Sequence, residues 1–246
     1  MAEVYDREGY SAGYPIGIEN HFWHRARNDL VYRWLRRELS HDEVVLDVGC
    51  GIGLVVADLR GRGMNAQGVE MGEAPVMPTA LGHVETGLDL FNLEAAHKKT
   101  VNAILLLDVI EHMADRGSFL QRIAEEFPNC RTLLVTVPAR MELWSTFDEH
   151  WGHHLRYNRK QLNAELTAAG FTPLRTAYFF QWLYLASLTM RLLRMPRDNA
   201  FKPIKPGTVS SLFHGLVGAV TRLENRIMPG RLPGSSIACI ARRRDG

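Results

Sequence analysis

Residues 45–53 read VLDVGCGIG, an apolar run that breaks into Gly49, Gly51 and Gly53 just before the helix-like segment LVVADLRGRG (54–63). Glycines at a strand-to-helix turn let the main chain bend sharply and let a ligand approach the backbone closely. The stretch therefore predicts the first βα unit of an α/β sheet. Working outward, VVLDVG (44–49), AQGVE (66–70), VNAILLLD (101–108) and RTLLVTV (131–137) alternate with amphipathic segments. That alternation is the pattern of a parallel sheet covered by helices on both faces. Runs such as ILLL and LLVTV are apolar without alternation, as expected of strands buried on both sides.

Ahead of the sheet, HFWHRARNDLVYRWLRREL (21–39) sets Trp23, Ala26, Leu30 and Trp34 at helical spacing, which predicts an amphipathic N-terminal helix. Behind it, NRKQLNAELTAAG (158–170) predicts another helix, with Gly170 where a C-terminal cap belongs. TPLRTAYFF (172–180) and SSIACIARR (235–243) read as two late strands, and two helical stretches separated by the Pro-rich MPRDNAFKPIKPG (195–207) fall between them. The 246 residues, 46% hydrophobic, are expected to form one domain. Its parts are an N-terminal segment and helix (1–40), a ligand-binding core (41–180), a helical insertion (181–233) and a final strand with a basic tail (234–246).

The three cysteines are scattered without zinc or disulfide spacing, no signal peptide is evident at the N-terminus, and AYFFQWLYLASLTM (177–190) is too short and polar to span a bilayer. A reducing cytoplasm is the expected location. Net charge is +2 but unevenly placed: residues 178–246 carry 11 Lys or Arg against 3 Asp or Glu, or +8. Such asymmetry fits an anionic contact or simply a solvated basic face. The basic residues lie within an apolar insertion rather than along a stripe with exposed aromatics, which argues against nucleic acid.

The glycine spacing G-x-G-x-G, with Leu54 following, departs from the dinucleotide fingerprint G-x-G-x-x-G. Asp47, two residues before the first glycine, would repel a pyrophosphate but tolerate a ligand carrying an ammonium and a sulfonium. The loop thus favours S-adenosylmethionine over NAD. Glu70 ends the second β-run, where a carboxylate can accept hydrogen bonds from both ribose hydroxyls.

With these residues in view, the chain resembles the class I S-adenosylmethionine-dependent methyltransferases, in particular small-molecule enzymes related to the ubiquinone pathway. The resemblance rests on LDVGCGIG (46–53), Glu70 in QGVE, Asp89 in LDLFN, LLLDVIEHMAD (105–115), LLVTVPA (133–139) and GHHLRYNRKQLNAELTAAGF (152–171). It implies a Rossmann-like, mostly parallel sheet of seven strands with a reversed final hairpin. It further implies that Gly49, Gly51 and Gly53 cradle the methionyl part, Glu70 holds the ribose, Asp89 and Leu90 meet the adenine, and Leu107 offers its backbone. Arg27 is the candidate for the methionyl carboxylate, with Arg25 as its alternative. Asn102 stands where the family often has an aspartate opening the fourth strand.

Ligands of open α/β sheets sit outside the carboxyl ends of the strands, so Asp108, Glu111 and His112 are expected at the pocket. Methyl transfer from a sulfonium needs alignment, exclusion of water and, for a hydroxyl acceptor, removal of a proton. His112 and, in DEHWGHHLRYN (148–158), His153 and His154 are the candidate bases. No metal is assigned, although the resemblance leaves open that Asp108, Glu111 and His112 hold a divalent cation. The expected acceptor is a small molecule methylated on a hydroxyl or carboxyl oxygen. Two alternatives are a lipid-linked or quinone-like acceptor met at a membrane surface through WLYLASLTMRLLRM (182–195), and a noncatalytic S-adenosylmethionine-binding module. The sequence sets no oligomeric state.

Overall fold

The computed structural model describes residues 10, 13–193, 204–205 and 207–244. Seven strands form one sheet in the order β3-β2-β1-β4-β5-β7-β6. They are β1 (Val44–Val48), β2 (Asn65–Glu70), β3 (Val84–Thr86), β4 (Val101–Leu107), β5 (Thr132–Pro138), β6 (Phe171–Phe179) and β7 (Ser236–Arg243). All neighbours pair in parallel except β7, which runs antiparallel to both β5 and β6. The reversed final hairpin and the mostly parallel sheet are as expected. β3, three residues long, is the strand that no apolar run announced.

The central strands are buried on both faces, and their side chains divide by parity. Leu46, Ile104, Leu106 and Val135 join one apolar cluster. Val45, Ala103, Leu105 and Leu134 join the other. Asn102 serves the sheet itself, since its Oδ1 accepts from Val44 N at 2.9 Å, where the β1–β4 register shifts. Pro173 sits on the edge strand β6 beside a register break, where its missing N–H costs no interior ladder bond.

Helix α1 (Phe22–Glu38) buries Ala26, Leu30 and Trp34 as its spacing required. The remaining helices are α2 (Leu54–Gly61), α3 (Ala95–Lys98), α4 (Arg116–Glu126), α5 (Thr146–His150), α6 (Arg159–Ala168), α7 (Gln181–Leu192) and α8 (Val209–Ile227). α7 and α8 form the insertion between β6 and β7; residues 194–203 and 206 of the intervening linker, Arg194 among them, lie outside the described residues. α8 is tied to α1 by Arg226, whose Nη2 reaches Asp29 at 3.2 Å, and by close packing of Gly218 on Phe22. No helix among the described residues is long and apolar enough to cross a membrane. The basic tail is partly spoken for: Arg242 pairs with Glu38 at 2.8 Å, and Arg243 donates to the Phe127 carbonyl at 3.1 Å, just past the end of α4.

Candidate active site

A cavity of about 560 Å³ opens at the carboxyl ends of β1, β2 and β4. This volume suits a small-molecule site. The turn after β1 forms its floor: Gly49 and Gly51 take φ of +68° and +54°, a region that favours glycine. A Cβ on Gly51 would lie 2.5 Å from the Tyr14 hydroxyl, so the N-terminal segment packs directly on the bare main chain. Gly53 behaves differently. It caps α2 behind the loop, where a Cβ would lie 2.6 Å from that of Ala80, and it does not line the cavity.

Asp47, Glu70, Asp89, Leu90 and Leu107 all face the cavity. The Glu70 carboxylate accepts from Gly51 N at 2.8 Å and Gly72 N at 3.1 Å, which locks the glycine turn to the end of β2. Asp89 caps the turn after it through Phe91 N at 2.8 Å. Arg27 lines the cavity, stacks on Trp23 and donates from Nη1 to Asp108 at 2.7 Å. Its Nε is buried and has no hydrogen-bond partner among the described residues, leaving a donor for an incoming carboxylate.

Burial, reinforced by the charge of Glu70 and only partly offset by Arg27, pushes Asp47 from 3.8 up to about 7. A raised carboxyl destabilises the fold as pH climbs above 3.8, and the cost is complete once pH passes about 7. Asp47→Asn, isosteric and neutral, is therefore expected to stabilise the ligand-free protein by on the order of 2–4 kcal/mol at pH 8 and clearly less at pH 5. Urea denaturation at the two pH values checks this, and an equal gain at both would refute the burial account.

At the exit of β4, Asp108 adopts φ of +60°, a left-handed conformation that turns the chain abruptly into the cavity rim. Burial raises its carboxyl while Arg27 opposes the rise. Glu111 is fully buried, and neither carboxylate oxygen has a partner among the described residues. Burial first, then the Asp108 charge, holds it well above the usual carboxylate range. His112 is brought down to about 4, by burial and by the nearby His153.

The three candidate histidines part company here. His153 lines the cavity, and its Nδ1 lies 2.9 Å from Asp148 Oδ1. Asp148 is completely buried and accepts also from Arg156 Nε at 2.8 Å and Ser145 N at 3.0 Å. Burial works to raise this carboxyl, but His153 and Arg156 outweigh it and keep it below its ordinary value. An ionised carboxylate only accepts, so Nδ1 is the donor across this contact, and in the neutral ring that tautomer leaves the lone pair on Nε2. His112 packs edge-on to His153 with centroids 4.8 Å apart. His154 does not line the cavity: its side chain is exposed, and its main-chain N donates to Glu111 O at 2.8 Å.

The donor atoms that converge are not the set the resemblance left open. Because Arg27 occupies Asp108, the ligand-type atoms that converge are those of Glu111, His112 and His153, all within 4.8 Å of one another. Asp148 and Arg156 both stand in DEHWGHHLR (148–156), but neither residue type nor spacing marks them there; the fold brings both onto His153 through the buried carboxylate. Trp23, Phe119, Phe147 and Trp151 add aromatic walls to the cavity.

Known proteins share this architecture. A family model described as a methyltransferase domain matches residues 21–176. The chain is 30% identical over 102 residues to the ubiquinone biosynthesis O-methyltransferase of Pseudomonas entomophila (strain L48), covering 38% of this chain and 44% of that protein. It is 28% identical over 105 residues to the protein of the same name from Stutzerimonas stutzeri (strain A1501), covering 39% and 45%. These matches span less than half the length of the curated relatives. Among solved structures, magnesium protoporphyrin IX methyltransferase of Synechocystis PCC 6803 with bound SAH superposes with a TM-score of 0.54 at 16% identity, covering 90% of this chain and 83% of that one. The 1,6-didemethyltoxoflavin-N1-methyltransferase of Burkholderia thailandensis gives 0.54 at 17% identity, covering 90% and 79%. At such identities the likeness concerns the fold.

Proposed function

Since the chain belongs to the class I S-adenosylmethionine-dependent methyltransferases, whose methyltransferase-domain model it matches over residues 21–176, we propose that it methylates a hydroxyl oxygen on a small, planar acceptor, with His153 as the base. The oriented His153–Asp148 pair on the cavity wall carries this reading. When bound, S-adenosylmethionine supplies an electrophilic methyl group on a sulfonium. The chain's residues fit it: the glycine turn gives bare backbone, Glu70 a ribose acceptor, Asp47 a partner for the ammonium, and the free Nε of Arg27 a partner for the carboxylate.

Displacement at the methyl carbon leaves a neutral thioether, so no leaving group needs protonation. A phenol titrates near 10, and its proton must go as the oxygen attacks. Nε2 of His153 takes it, and the ionised Asp148 stabilises the resulting imidazolium across the 2.9 Å contact. Phe147 and Trp151 supply flat walls against which a ring can be aligned. A carboxylate acceptor would need no base, which is why the pair favours a hydroxyl over a carboxyl oxygen. The ubiquinone O-methyltransferase names of the relatives support an oxygen acceptor. Release of S-adenosylhomocysteine with a panel of phenols, carboxylic acids and lipid-linked quinols tests the proposal; turnover only with carboxylic acids, or with no acceptor at all, would defeat it, the latter in favour of a noncatalytic binding module.

A second reading has its own observation, the buried and unpartnered Glu111 carboxylate facing two imidazoles. One carboxylate and two histidines suit a divalent transition ion, which would acidify a bound hydroxyl directly. The base reading expects turnover to survive thorough chelation unchanged. Loss of turnover that Mn²⁺ restores would transfer the chemistry to Glu111, His112 and His153.

A further inference from the structure

Helix α8 presents an apolar stripe to solvent. Val209, Leu212, Phe213, Leu216, Val220, Leu223 and Ile227 follow one another at helical spacing and are 56–84% exposed. The opposite face is the one that packs: His214 Nδ1 accepts from Phe22 N, Gly218 touches Phe22, and Thr221 accepts from Trp182 Nε1 at 3.0 Å. The outer stripe contains no charged residue, and exposed Met228 and Leu232 prolong it past the helix end. A continuous patch of this size on a soluble surface marks an interaction site.

Charge around the stripe says with what. Lys205 precedes the helix, Arg231 follows it, and both are exposed. Arg226 stands half-exposed along one flank, whereas Arg222 turns toward Gly218 on the packed side, and the single acidic residue of the helix, Glu224, is engaged by Trp182 N at 2.7 Å. Asp29, the acid near that flank, is shared among Arg33, Arg62 and Arg226, so the positive charge is not cancelled. A second copy docking face to face would set one basic border against another, which costs association. An anionic lipid surface meets both features at once, apolar side chains entering the acyl boundary and cations meeting headgroups.

We propose that α8 lies flat on an anionic membrane surface through its Val209–Ile227 outer stripe, with Lys205, Arg226 and Arg231 facing the headgroups. α7, which the sequence offered as one alternative for this role, walls the cavity with Leu183 and Ser187 and is fastened through Arg191 to the Trp144 carbonyl. Because α7 touches both the cavity and, through Trp182, α8, docking would hold the acceptor side of the cavity near the lipid. The docking itself stands whether or not the methyl-transfer reading does.

Co-sedimentation of the full chain with phosphatidylcholine vesicles, with and without phosphatidylglycerol, tests it. The protein is expected to sediment with the phosphatidylglycerol vesicles and to lose that binding in high salt. Leu216→Asp with Leu223→Asp should weaken it by at least about ten-fold, while S-adenosylhomocysteine binding and the melting curve, which report the fold, stay as in the parent. Lys205→Glu with Arg231→Glu should abolish the preference for phosphatidylglycerol. No sedimentation with either vesicle, or unchanged sedimentation of the leucine variant, overturns the proposal. A stable dimer of the parent that the leucine variant splits overturns it as well and assigns the face to a second copy.

Discussion

His153→Ala is expected to lower kcat by roughly 10²–10³-fold on a phenolic acceptor while leaving S-adenosylhomocysteine affinity within about two-fold. Asp148 is the reason. It is completely buried and held ionised by His153 and Arg156, so it fixes the imidazole tautomer and ring plane before any acceptor arrives. Asp148→Asn should therefore also impair turnover, because an amide that donates toward Nδ1 favours the wrong tautomer. The two losses should overlap rather than add, since both act through one nitrogen. Steady-state kcat and KM measured with and without added imidazole separate this from a structural role. Free imidazole should restore part of the turnover of His153→Ala. A raised KM at unchanged kcat, with no rescue, would make His153 a binding residue.

The second large effect belongs to Glu70. Glu70→Ala should weaken S-adenosylhomocysteine binding by about 100-fold or more, which at 1.4 kcal/mol per ten-fold corresponds to about 3 kcal/mol. Two losses combine. The ribose loses a charged acceptor, and the glycine turn loses the anchors at Gly51 N and Gly72 N, 2.8 and 3.1 Å away. Glu70→Gln keeps one amide oxygen and should fall between the parent and the alanine variant. Isothermal titration at fixed pH measures all three. Equal affinities across the series would remove Glu70 from the cofactor site.

Much of this architecture was legible because it is written in local patterns. The VLDVGCGIG turn, the unalternating strands and the helical stripe of α1 each follow from burial at a fixed period, and each is found where the spacing put it. β3 was not, since three residues at the sheet edge with no buried side chain leave no apolar signature. The site was legible by residue type but not by pairing. His112, His153 and His154 are equivalent in a sequence; long-range packing sends one to a buried aspartate, one against its neighbour's ring and one into solvent. Likewise the ion pair of Asp108 with Arg27, 81 positions away, leaves no trace in the local sequence. The exposed stripe of α8 was equally hidden, because an apolar face in a sequence is read as core until the fold leaves it uncovered.

Both large effects require that the cleft above the glycine turn hold S-adenosylmethionine with its methyl group directed toward His153. A crystal structure with S-adenosylhomocysteine tests this most directly. Expected are both ribose hydroxyls on the Glu70 carboxylate, the methionyl carboxylate on Arg27 Nε, and the sulfur facing the wall that carries His153. A nucleoside bound elsewhere, or a sulfur turned away from His153 with no ribose hydroxyl on Glu70, would contradict it.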